Sequence, residues 1–208
     1  MQSDLQDLMK YEVEVLTKLI SMDTVSGTGK SLKDCFNYLK DEMSKSAQVQ
    51  AIYGKDGTAN LLAEVKGKGP RVLVAAHYDV VPPGTGWSSN PFEARIEGDR
   101  VFGRGAADDK GGVAVALALL MAAKDRWNLS VAITGDEEIG GENGLGAVIE
   151  RTGKAFDLAI ILDSSSKEIH CGASGVASGK IVIKGKGGHA GYPHLADNPI
   201  YKLPSVIN

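Results

Sequence analysis

Apolar positions change period along this chain, and each period predicts an element. Over residues 3–20, Leu5, Leu8, Met9, Val13, Leu16 and Ile20 recur at helical spacing, with Ser3 as the expected cap and Gln6 three positions on. Leu32, Cys35, Phe36, Leu39 and Met43 repeat the pattern and predict a second amphipathic helix over about 30–45. Strand-like runs follow at 48–53, 59–66 and 71–76. The last is apolar throughout, as a strand covered on both faces is, and is expected at the centre of a sheet. A long Pro- and Gly-rich loop comes next, and RIEGDRVFG then predicts a hairpin turning at Gly98 and Asp99. Helix 112–124, strand 129–134, helix 144–151 and strand 157–162 alternate after it. The expected fold class is α/β, a mixed sheet flanked by helices on both faces.

From about Gly175 the pattern changes again. Apolar and polar residues alternate like a half-exposed strand, pass through Pro193, and enter a short helix begun by Asn198 and Pro199. This places a domain boundary near residue 176, between a first domain of residues 1–176 and the beginning of a second at 177–208. So short a piece does not bury a core of its own, because independent domains need at least about 40 to 50 residues.

Composition narrows the partners. With 208 residues and 43% hydrophobic content the chain can build one sizeable core. Its net charge of -3, with both signs interspersed, supplies no basic stripe, so neither nucleic acid nor a membrane surface is an expected partner. The longest apolar stretch, VAVALALLMAA, falls short of the ~20 residues that cross a bilayer, and the acidic N-terminus does not read as a signal peptide. Cys35 and Cys171 are far apart and outside any CxxC spacing, which suits two ordinary thiols in a reducing compartment. A cytoplasmic protein is expected. The strings VKGKGP and IKGKGGHAG lack the GxxxxGK[ST] form of a phosphate loop.

Three of the strand-like runs end in cation-binding residues: VLVAA in His77 and Asp79, LSVAIT in Asp136, Glu137 and Glu138, and LAIIL in Asp163. A further acid, Asp108, sits in the turn GRGAADDKGG ahead of an apolar helix. Carboxylates gathered at strand ends are costly to bury unless paired, and a bound metal pair is the simplest compensation. Each element also has a plainer explanation. His77 and Asp79 share a strand face, so Asp79 would orient the imidazole toward a metal; polar residues at strand ends are also common without one. Asp108 would bridge two cations, or else Asp108 or Asp109 merely caps the helix. Lys110 balances the local acids. Of Glu137 and Glu138, one would ligate while the other stays free as a general base, unless both belong to a solvated acidic turn.

With His77, Asp79, GRGAADDKGG, GDEEIGG and ILDS in this order, and with GWSSNPFEARIEGDRVFG and GHAGYPHLADNP between and after them, the chain resembles the co-catalytic zinc metallopeptidases. That family includes succinyl-diaminopimelate desuccinylases, acetylornithine deacetylases, aminoacylases and glutamate carboxypeptidases. The resemblance implies an enzyme that hydrolyses the amide bond of an N-acyl amino acid or short peptide with two divalent ions, zinc first and cobalt or manganese as alternatives. By the same resemblance, His77 and Asp163 complete one metal, Asp108 bridges, Glu138 serves the other metal, Glu137 is the general base, and Asp79 orients His77. It further implies a cis peptide after Asp108, a small α+β lid beginning near residue 177, and a homodimer in which His189 reaches the partner's site to stabilise the oxyanion. Family members take a last histidine ligand from near the end of a longer chain. These residues do not supply it, so the resemblance leaves two outcomes: an active hydrolase, or a metal-binding remnant of the same fold.

Overall fold

The computed structural model describes residues 2–124, 126–153, 155–163, 169–172, 174, 175, 177 and 179–207. Two compact units divide the chain, Met1–Ser166 and Lys167–Asn208. Residue 176, the expected boundary, lies outside the described residues.

In the first unit the elements follow the predicted alternation. Helix α1 (Gln2–Ile20) and α2 (Leu32–Ser44) precede strands β1 (Gln48–Tyr53), β2 (Ala59–Val65) and β3 (Lys68–His77). The hairpin β4 (Arg95–Glu97) and β5 (Arg100–Phe102) turns at Gly98, whose φ of 60° a side chain would resist. Then come α3 (Lys110–Ala123), β6 (Trp127–Thr134), α4 (Leu145–Thr152) and β7 (Leu158–Ile161). Helix α1 starts at Gln2, one residue before the expected cap position.

Five strands form one mixed sheet in the order β1-β2-β6-β3-β7. β1, β2 and β6 pair antiparallel, whereas β3 pairs parallel with both β6 and β7. β6 rather than β3 is therefore the central strand. Alternation along the strands separates two cores. Leu61, Ala63, Val74, Ala76, Val131 and Ile133 join α1, α2 and α3 in the larger one, and Leu62, Leu73, Ala75 and Ala132 meet Val148 of α4 on the other face. Helices thus flank both faces, as expected.

The α1 stripe matches the expected one only at its C-terminal end. Ile20 is buried and Leu16 packs against the core as expected, but Leu5, Met9 and Val13 are exposed, and Val15 and Leu19 with Tyr11 take the inward places instead. Apolar residues fall on two neighbouring stripes of this helix, and periodicity alone did not choose between them.

In the second unit the expected strand over the 179–188 stretch has no ladder. Among the described residues it contributes one bridge, Lys186 with Asp197, and Ile181 and Val182 stay exposed. A strand needs a partner for its main-chain groups, and among the described residues this stretch is paired only at Lys186. The expected helix start is present as a short 3-10 turn, Pro199–Lys202, in which the Asn198 side chain accepts from the Ile200 N–H; α5 (Pro204–Ile207) follows.

Candidate metal centre

Parallel pairing brings the C-terminal ends of β3, β6 and β7 to one edge of the sheet, where such folds gather chemistry. His77 stands opposite Thr134, and Ala75 opposite Ile161. The pairing runs on past the strands: Tyr78 N–H donates to Thr134 O and Leu162 N–H to Ala75 O, both at 2.9 Å. Glu137 and Asp163 are thereby delivered to the ring of His77.

His77 is 2% exposed. Its Nε2 lies 3.1 Å from Asp108 Oδ1, 3.8 Å from Asp163 Oδ2 and 3.9 Å from Glu137 Oε2. One donor atom from each of His77, Glu137 and Asp163 lies within 4.8 Å of the others. An imidazole nitrogen surrounded by carboxylate oxygens is a donor set that zinc, cobalt or manganese takes, so these residues fit a divalent cation. The charge balance agrees. Burial lowers the affinity of His77 for a proton, yet the bond to Asp79 and the charges of Asp109, Asp79 and Glu137 raise its pKa to about 9. Such surplus negative charge is what a cation neutralises.

The other ring nitrogen fixes the imidazole. Nδ1 lies 3.0 Å from the main-chain oxygen of Asp79 and 3.3 Å from its Oδ1. Both neighbours are acceptors, so Nδ1 carries a proton in either charge state, and Nε2 is the nitrogen that faces the carboxylates and is free to give up its proton to a cation. Asp79, fully buried, does more than the expected orienting. Its Oδ1 accepts from the Glu137 N–H at 3.2 Å, and its Oδ2 from the Glu138 N–H at 3.3 Å and Ser26 Oγ at 2.7 Å. Burial alone would raise its pKa, but the bonds from His77 and Ser26 hold it below the ordinary value.

The Asp108–Asp109 peptide is cis, as the resemblance implied. Asp108 meets the His77 ring, while Asp109 Oδ2 accepts from the His77 main-chain N–H at 3.1 Å. Asp109 occupies the N-cap position of α3 but makes no capping bond with its side chain, so the cap explanation does not describe it. Gly112 leaves the space this carboxylate uses; a β-carbon there would overlap it.

Glu138 stands apart from the His77 group. Its Oε1 accepts from the Val81 N–H at 3.1 Å, at the start of the long loop. Arg104 also holds that loop, donating to Pro83 O at 3.3 Å and lying over the Trp87 ring. Asp136, also buried, accepts from the Asn143 N–H and shapes the turn rather than the cation site. His189 belongs to the second unit, where it is exposed and its Nδ1 accepts from the Gly191 N–H at 3.0 Å.

Sequence reasoning missed three supports. Ser26 and Asp109 carried no signal beyond their residue types. Lys110 was expected to balance acids; instead it is fully buried and its Nζ donates to Leu19 O at 2.9 Å and Met22 O at 2.8 Å, closing the C-terminal end of α1. Burial pulls its pKa down to about 8. The signal was present, because Lys110, Val113, Ala114 and Leu117 share one helix face and the other three are core residues.

Among the described residues no helix is long and apolar enough to cross a membrane. The chain is 41% identical over 164 residues to the succinyl-diaminopimelate desuccinylase of Gluconobacter oxydans, covering 73% of this chain and 43% of that protein. It is 35% identical over 212 residues to the enzyme of the same name from Wolbachia pipientis, covering 94% and 52%. Among solved structures it resembles the M20 family metallo-carboxypeptidase Sso-CP2 of Sulfolobus solfataricus, with TM-score 0.61, 32% identity, and coverage of 73% and 37%. Human carnosine dipeptidase 1 shares the fold, at TM-score 0.65 and 22% identity, with coverage of 78% and 41%. The chain spans about half the length of the relatives it matches. Residues 73–203, which hold all the candidate site residues, match the profile of peptidase family M20/M25/M40, and the chain belongs to that family.

Proposed function

We propose that this chain is a metal-dependent hydrolase of the desuccinylase or deacetylase kind, cleaving the amide bond of an N-acyl amino acid. The observation that carries the proposal is the convergence of Asp108, Glu137 and Asp163 on Nε2 of a His77 fixed from behind by Asp79. His77 and Asp163 would hold one divalent ion, Asp108 would lie between two, and Glu138 would serve the second; zinc is the first choice, with cobalt or manganese able to substitute. Divalent ions held there would supply Lewis-acid chemistry.

The chain's own residues do the rest. Asp79, bonded to the Glu137 and Glu138 main chain, keeps both carboxylates at the strand end, and its hold on Nδ1 presents Nε2. Glu137 is half exposed, and burial together with Asp163, Asp79 and Asp108 raises its pKa against the opposing charge of His77. It is the proton carrier: its carboxylate oxygen takes a proton from the attacking water and passes it to the leaving amine nitrogen. His189, in a homodimer, donates to the developing oxyanion in the partner's site.

A second reading, a carboxypeptidase or dipeptidase, draws on the likeness to Sso-CP2 at 32% identity. A third, a metal-binding form without turnover, draws on Glu138, which is bonded to the Val81 N–H and stands apart from the His77 group. Assays of the zinc-loaded chain with N-succinyl-diaminopimelate, N-acetylornithine and dipeptides separate the three. Deacylation that Glu137→Gln abolishes at unchanged metal content is the expected result. Near-native turnover by Glu137→Gln would overturn the base assignment, and zinc binding without hydrolysis of any substrate would favour the third reading.

A further inference from the structure

Helix α2, the β1–β2 turn and the segment after β6 line a cavity of about 500 Å³, a size that takes a small organic molecule. All of its lining residues belong to the first unit, and none of them is a candidate metal ligand. Gly135 and Ile139 border it on either side of the Asp136–Glu138 segment. Two strands, β2 and β6, nevertheless separate β1 from β3, which ends in His77. The cavity is therefore a neighbour of the metal centre and not a part of it.

Its lining is largely apolar and aromatic. Phe36 and Tyr53 meet there with ring centroids 6.2 Å apart, tilted by 40°. Tyr78, buried, is fixed by its hydroxyl, which donates to Ala59 O at 2.9 Å, and Gly135 leaves room for that hydroxyl, since a β-carbon would come within 2.5 Å of it. Tyr53 and Ile139 remain 56% and 64% exposed, so large apolar surface is left open at this concave place.

The polar residues carry opposite charges on different elements. α2 sets Lys33 and Asn37 one turn apart, beside Leu32 and Phe36, which also line the cavity. Among the described residues Lys33 forms no ion pair, and Ser31 makes no side-chain cap, so the positive end of α2 adds to the lysine charge. On the β1–β2 turn, Asp56 Oδ1 accepts from the Thr58 N–H at 2.9 Å. Bonds from Gly54 N–H to Thr58 O and from Gly57 N–H to Gly54 O close that turn, so Asp56 is held in place with lone pairs to spare.

We infer that this cavity binds a free α-amino acid with an apolar side chain, an aromatic one best. Its carboxylate would meet Lys33 and Asn37, its ammonium group Asp56, and its side chain the surface of Phe36, Tyr53 and Ile139. A fatty acid would leave Asp56 unmatched, and a sugar would leave the aromatic lining unused. An N-acyl amino acid lacks the α-ammonium group, which separates this ligand from the proposed substrate. The inference stands apart from the proposed activity, and its test reads binding alone.

L-Phenylalanine is titrated into the full chain, once with zinc and once with EDTA, and followed by amide chemical shifts. Both titrations should saturate with the same Kd, about 1 mM or tighter. The largest shifts should fall on Lys33, Asn37 and Gly57 rather than on His77 and Asp163. Phenylacetate, without the ammonium group, and phenethylamine, without the carboxylate, should bind at least about 10-fold more weakly. Lys33→Glu should weaken L-phenylalanine binding by about 10-fold or more, and Asp56→Asn should weaken it likewise. Lys40→Glu, the same charge change at an exposed position of α2 outside the cavity, should not. The inference is overturned if L-phenylalanine does not bind at about 10 mM, if it binds only with zinc, or if the shifts centre on His77 and Asp163. Equal binding of phenylacetate or phenethylamine, or parent-like binding by Lys33→Glu or Asp56→Asn, would overturn it as well.

Discussion

His77 and Asp79 are joined twice: the imidazole Nδ1 lies 3.0 Å from the main-chain oxygen of Asp79 and 3.3 Å from its carboxylate. The same carboxylate receives the main-chain N–H groups of Glu137 and Glu138, so one buried acid holds the residues that end two neighbouring strands. Asp79→Asn places an amide where only acceptors are wanted. Zinc affinity should fall by about 10- to 100-fold, the usual loss when a ligand's supporting carboxylate is altered, with the circular dichroism spectrum unchanged. Unaltered zinc affinity by calorimetry would contradict this role.

Protonation of His77 links metal binding to pH. Its pKa in the metal-free fold, about 9, lies above the ordinary 6.5, so its contribution to stability is complete below about pH 6.5 and is lost as the pH rises through 9. Asp109 acts in the same direction in a lower window. Burial pushes its pKa from 3.8 up to about 7, so it too disfavours the fold as the pH rises between those values. The metal-free protein should therefore melt at a higher temperature at pH 6 than at pH 9. Zinc needs the unprotonated imidazole, so the rise in Tm on adding zinc should grow over that range. Thermal melts with EDTA and with zinc check both signs; a zinc effect that shrinks toward pH 9 would contradict them.

Lys110 supports the fold far more than its surface-like residue type suggests. Replacing it with methionine leaves Leu19 O and Met22 O without their donor in a buried place, which should cost about 2 kcal/mol of stability. A urea midpoint equal to that of the parent chain would show that these bonds are dispensable.

The two thiols should separate cleanly by reactivity. Cys35 is buried and its pKa is pushed up to about 12 by that burial, whereas Cys171 is exposed. One thiol should react promptly with a disulfide reagent in the native protein and two in denaturant. Prompt reaction of both in the native state would mean that α2 does not seal the core.

Most of the architecture was legible because the strands end where their apolar runs end. VLVAA, LSVAIT and LAIIL delivered His77, Glu137 and Asp163 to one edge, as parallel pairing requires. The α1 face was misread because two apolar stripes compete on that helix, and the strand over the 179–188 stretch did not form because alternation cannot provide a partner. Asp109 and Ser26 were missed because their roles lie in bonds to groups distant in sequence, which no local pattern encodes; Lys110 was marked by its place on the buried face of α3, and the residue type alone misled. Glu138 shows the same limit from the other side, being adjacent to Glu137 in sequence yet bonded to Val81 rather than gathered around His77.

The central claim is that His77, Asp108 and Asp163 bind a divalent metal. Anomalous diffraction above and below the zinc edge, on crystals of the full chain grown with zinc, tests it most directly. The expected result is a zinc-specific peak about 2.0–2.1 Å from His77 Nε2 and within bonding distance of Asp108 and Asp163 oxygens. Zinc-specific peaks only elsewhere, or none at stoichiometric zinc, would contradict the claim.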